Sequence, residues 1–73
     1  MDRTEVLRKA LEDIVIQEMD KIVDPNLSNK EKFQKVSGKA IARFKINFPN
    51  VEVLRFEENN GGFDLALCEH ELH

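Results

Sequence analysis

Near the end of the chain, Asn59-Asn60-Gly61-Gly62 separates two runs of alternating apolar residues, 51–57 and 63–71. Asn-Gly at the centre of a two-residue loop is the strongest short-range signal for a β-hairpin, because a type I′ turn needs φ > 0 at both central positions. Centring the turn on Asn60-Gly61 sets a pairing register. Phe56 then faces Leu65 and Leu54 faces Leu67, and with Phe63 these side chains form one continuous apolar face. The opposite face carries Val51 across from His70, Val53 across from Cys68 and Arg55 across from Ala66. Register and side-chain pattern agree, as a specified hairpin requires.

The chain ahead of the hairpin has helical rather than strand periodicity. Over residues 3–23, Leu7, Ala10, Leu11, Ile14, Val15, Met19 and Ile22 recur at three- and four-residue spacing on one broad face. Asp2 is placed to cap the start, with Glu5 three residues later. Asp24-Pro25-Asn26 stops the helix, because the residue before proline is pushed out of the α region. Ser28-Asn29-Lys30-Glu31 is a capping box and opens a second helix. Its apolar face is Phe33, Val36, Ala40, Ile41, Phe44 and Phe48, and Pro49 ends it. Gly38, beside Ser37, lies inside this helix as a kink or a tolerated glycine. The short link between the helices favours an antiparallel helical hairpin.

The expected fold is therefore α+β: an antiparallel two-helix hairpin followed by a β-hairpin packed on it, in the order α-α-β-β. With 73 residues this is one small domain spanning 1–73. A domain of this size buries only about 60% of the surface its unfolded chain exposes. That leaves room for one thin core and little for a deep substrate pocket. Apolar residues make up 41% and charged residues 34%, too apolar for disorder and too charged for a membrane protein. No apolar run approaches the roughly 20 residues of a membrane span. The opening Met1-Asp2-Arg3-Thr4-Glu5 carries no secretory signal pattern, and Cys68 is the single cysteine. Together these predict a reducing, cytoplasmic setting.

The net charge of −3 hides a division. Residues 1–24 carry seven acids against four bases, residues 28–48 carry six bases against Glu31 alone, and residues 49–73 carry six acids against Arg55. Such asymmetry bears on partners rather than on fold. Lys32, Lys35, Lys39 and Arg43 fall within roughly 80° of one helical face. This stripe is a candidate site for nucleic-acid phosphates or for an acidic protein surface. Against nucleic acid stand the lack of an interleaved aromatic and the acidic overall balance. The plainer reading is a solvated helix back whose lysines pair with acids of the first helix or the ribbon.

Few residues promise chemistry. Cys68 and His70 project from the same side of a strand, but with His73 they make only three soft candidate ligands, and the paired spacing of a zinc motif is missing. As a nucleophile, Cys68 is flanked by acids that would raise a thiol pKa, and no third group is placed to orient His70. Ser37-Gly38-Lys39-Ala40 lacks the upstream glycine and the Ser or Thr of a phosphate loop. Glu18 is the unusual residue, since it falls in the middle of the first helix's apolar arc. A buried carboxylate must be paired or hydrogen-bonded, and an antiparallel helical hairpin brings Gln34 or Ser37 near it. The alternative is a helix rim where the stem packs and the head reaches water.

No enzyme, metal or cofactor is predicted from these residues. The expectation is a non-enzymatic interaction module: a small adaptor, subunit, regulator or inhibitor that docks on a larger protein. The docking surface would be the second ribbon face, Val51, Val53, Arg55, Ala66, Cys68 and His70, with homodimerisation through the hairpin as a related route. Nucleic-acid binding through Lys32, Lys35, Lys39 and Arg43 is the alternative, and no membrane partner is expected.

Overall fold

The computed structural model describes residues 2–71. The order of elements is the expected one: α1 (Arg3–Asp20), α2 (Asn29–Asn47), β1 (Val51–Asn59) and β2 (Gly62–Glu69). The strands form a two-stranded antiparallel sheet packed on the helices. The molecule is elongated, 46 × 22 × 20 Å.

Local sequence accounts for most element boundaries. The Asp2 carboxylate accepts a hydrogen bond from the Thr4 amide (3.0 Å) and caps α1. α1 ends at Asp20 rather than residue 23. Its last turn tightens, with the Lys21 amide donating to the Glu18 carbonyl and the Ile22 amide to the Met19 carbonyl, the i→i+3 bonds common at helix ends. The Asp24 carboxylate then accepts from the Asn26 amide (2.9 Å), and the Asp24 carbonyl from the Leu27 amide, forming a turn around Pro25. The capping box of α2 forms in both directions. Ser28 Oγ accepts from the Glu31 amide (3.2 Å), and Glu31 Oε1 accepts from the Ser28 amide (3.3 Å). α2 runs unbroken through Gly38.

The hairpin turn is the one the sequence predicts: Asn60 has φ 52° and Gly61 φ 84°, and Asn59 pairs with Gly62. Near the turn the register also matches, with Phe56 opposite Leu65 and Arg55 opposite Ala66. Beyond it the register shifts. Leu54 has no partner across the ribbon, and Val53 pairs with Leu67, Glu52 with Cys68 and Val51 with Glu69. Leu54 is thus the extra residue of a β-bulge. It points outward at 60% exposure, whereas Val51, expected outside, is 1% exposed.

The cause lies in two fixed ends. The turn sets Phe56 inward. At the other end the Val51 amide bonds the Phe48 carbonyl (3.1 Å), the His70 amide bonds the Asn50 carbonyl (2.8 Å), and Asn50 Nδ2 bonds the His70 carbonyl (2.8 Å). These contacts hold Val51 against the helices. Val51 and Phe56 are an odd number of positions apart, so strict alternation would send them to opposite faces. One inserted residue lets both face the core.

That core joins Leu7, Leu11 and Val15 of α1, Phe33, Val36, Ala40 and Phe44 of α2, Val51 of β1 and Leu65 of β2. Two aromatic groups secure its ends. Phe33 meets Phe56 edge-on at 4.9 Å and Phe63 at 5.8 Å, tying the early turns of α2 to the hairpin. Phe48 stacks against Phe44 at 4.9 Å, and the Arg3 guanidinium lies 5.9 Å from its ring. Arg3 also grips Glu69 through Nε and Nη2 (2.9–3.3 Å), latching the start of α1 to the end of β2. No helix among the described residues is long and apolar enough to cross a membrane.

Candidate interaction surfaces

The bulge redraws the outer ribbon face. Two of its six predicted docking residues are in the interior: Val51 is buried and Val53 packs against the core. They were expected outward because simple alternation has no means of inserting Leu54. The outer face consists of Leu54, Arg55, Ala66 and Cys68, with Glu52, Glu57 and Asp64 around them and His70 just past the end of β2. It is more polar than predicted, with Leu54 as the one large apolar side chain among the described residues.

Cys68 is half-buried opposite Glu52, and His70 Nε2 lies 3.9 Å from the Glu52 carboxylate. Among the described residues no three His, Cys, Asp or Glu side chains converge as a metal site. His73 lies outside the described residues.

The basic stripe is divided. Lys39 and Arg43 turn toward Glu18, which is 3% exposed. Lys21, which follows Glu18 by three residues, joins them. Glu18 Oε1 accepts from Lys21 Nζ (2.9 Å) and from Arg43 Nη1, and Oε2 lies 3.3 Å from Lys39 Nζ. Lys32 and Lys35 form no ion pair among the described residues. The Lys21 ammonium, most of all, pulls the Glu18 pKa down to about 2 against the opposing effect of burial, with Lys39 and Arg43 adding to the fall. Glu18 is therefore neither a rim residue nor an acid lacking a partner.

Gln34 and Ser37, the expected partners of Glu18, lie elsewhere, lining an open groove between α2 and β1 with Phe33, Phe56 and Glu57. The connection from residue 21 to 28 allows α2 to begin well past the end of α1. The last turn of α1 consequently meets a later stretch of α2 than a tight hairpin would bring to it. Nothing in the local sequence measures that offset, although the Glu18–Lys21 spacing was a legible sign of one of the three pairs.

No family model, curated protein or solved structure matches this chain.

Proposed function

We propose that this chain is a non-enzymatic interaction module, a small adaptor, subunit or regulator that docks on a larger protein in the cytoplasm. The observation supporting this most directly is the sheet itself. Among the described residues it has two strands, and the helices cover one face. Each strand therefore has one edge with no neighbouring strand, and unpaired backbone groups on such an edge are a template for a further strand. The two edges differ. β1 is broken by the bulge at Leu54, a device that discourages edge pairing, whereas β2 pairs without interruption from Gly62 to Glu69. The β2 edge and the adjoining Leu54–Ala66–Cys68 patch are the docking surface we favour, with Arg55 and His70 at its margin.

Affinity capture from an extract of the protein's own host tests the proposal, with wild-type bait beside bait carrying Leu54→Asp and Ala66→Asp. Both substitutions fall on exposed positions, so the bait should remain folded by circular dichroism. A stoichiometric partner held by the wild type and lost by the double variant is expected. Recovery of no partner, or of one indifferent to both substitutions, would overturn it. Light scattering across a protein concentration series distinguishes a heterologous partner from a second copy of the chain.

A further inference from the structure

We infer that Lys21, Lys39 and Arg43, gathered on the buried Glu18 carboxylate, form a phosphate-binding site. This goes beyond the docking surface, which lies on the ribbon, and does not depend on it.

Charge is the first argument. Three cations meet one carboxylate, leaving two positive charges uncompensated, and none of the three makes another ion pair among the described residues. Inorganic phosphate or a phosphate monoester carries about −1.5 to −2 near neutral pH, which matches that excess. A lone carboxylate would neutralise only half of it.

Donor capacity is the second. An ammonium has three N–H donors and a guanidinium five. Each of these groups contacts Glu18 through a single nitrogen. The side chains of Lys21, Lys39 and Arg43 remain 65%, 66% and 40% exposed, and among the described residues they make no side-chain hydrogen bond other than to Glu18.

Preorganisation is the third. Free surface lysines lose side-chain entropy when they close on an anion. Here part of that loss is taken in folding, because the buried Glu18 carboxylate already draws all three cations together. One cation comes from the end of α1 and two from α2, so the folded chain assembles the cluster.

The test is a titration followed by nuclear magnetic resonance of the lysine and arginine side chains. The probe is inorganic phosphate, exchanged against sodium chloride at constant ionic strength. Saturable shifts at Lys21, Lys39 and Arg43 are expected. Lys21→Gln should weaken binding about tenfold, the loss of one charge-assisted hydrogen bond, while Lys45→Gln, an equal charge change outside the cluster, in α2, should change it less than about twofold, as expected without a direct contact. Lys21 is largely exposed and lies past the end of α1, so this variant should fold. Lys39→Gln provides a second reading from the other helix.

A parallel titration with a single-stranded oligonucleotide lacking terminal phosphates identifies the source. Stronger binding than to inorganic phosphate, with shifts spreading to Lys32 and Lys35, would make it a nucleic-acid backbone. Stronger binding of inorganic phosphate would make it a free phosphate group. The proposal is overturned if neither probe shifts these residues in a saturable way, or if Lys45→Gln weakens binding as much as Lys21→Gln.

Discussion

Exchanging the fates of Val51 and Leu54 is the bulge's main effect, and truncating each in turn tests it. Val51 is 1% exposed and belongs to the core. Val51→Ala removes two buried methyl groups, at about 0.8 kcal/mol each for lost burial, plus a cavity contribution, for a total of about 2 kcal/mol. A chain of this length is stabilised by only about 4–11 kcal/mol, so the loss is a large share of the whole. With a urea m-value near 1 kcal/mol/M, about right for a small domain, the unfolding midpoint should fall by about 2 M. Leu54 is the larger side chain, yet it is 60% exposed. Leu54→Ala should therefore cost no more than about 0.5 kcal/mol, the usual range for a surface substitution. Urea unfolding followed by circular dichroism measures both. A deletion sharpens the test, since removing Leu54 leaves Val51 and Phe56 an even number of positions apart and able to face the core without a bulge. That deletion variant should still unfold cooperatively. If Leu54→Ala costs as much as Val51→Ala, or the Leu54 deletion abolishes folding, the argument from odd spacing is refuted.

Three further outcomes are expected. Gly38→Ala should raise stability by about 1 kcal/mol, because a Cβ there meets nothing within 4 Å and alanine is the better helix former; a lower melting temperature would show that α2 needs its glycine. Ser28→Ala should cost about 1 kcal/mol by removing the acceptor for the Glu31 amide, read in the same urea experiment, and no change would mean the capping box contributes nothing. Glu18 makes stability depend on acid. Its carboxyl lies at about 2 in the folded protein against 4.5 in its unperturbed state, so between these values the unfolded chain binds more protons and stability rises with pH. The contribution is present above about pH 5 and is lost as pH falls toward 2, with Glu69, drawn down by Arg3, adding to it in the same sense. Urea midpoints measured from pH 6 to pH 2 should fall more steeply for the wild type than for Glu18→Gln, and parallel curves would contradict the pairing.

What could be read from the sequence, and what could not, divides by distance along the chain. Ser28 and Glu31 are three residues apart, Asp24 and Asn26 two, and Asn60 and Gly61 adjacent. Their geometry depends on nearby backbone torsions and short side chains, so the capping box, the Pro25 turn and the type I′ hairpin were legible before any tertiary contact. The apolar faces of both helices were legible for the same reason, since helical periodicity is local. The order α-α-β-β followed from these parts.

The candidate surfaces were decided otherwise. Val51 turns inward because Asn50 and His70, twenty residues apart, bond across the ribbon end while the turn independently sets Phe56 inward. Neither end contains information about the other, so the conflict between them, and the bulge that resolves it, exists only in the folded chain. Lys39 and Arg43 were legible as a basic stripe, but whether they face water or Glu18 depends on how far α2 is offset along α1. The connection between the helices is too long to impose that offset locally, and the burial of Phe33 beneath Phe56 and Phe63 helps to set it. The sequence by itself determined the elements and the faces they would bury. Tertiary packing alone decided which borderline side chains came to lie inside, as Val51 and Glu18 do, and which outside, as Leu54 does, because each is governed by two distant constraints that must be met at once.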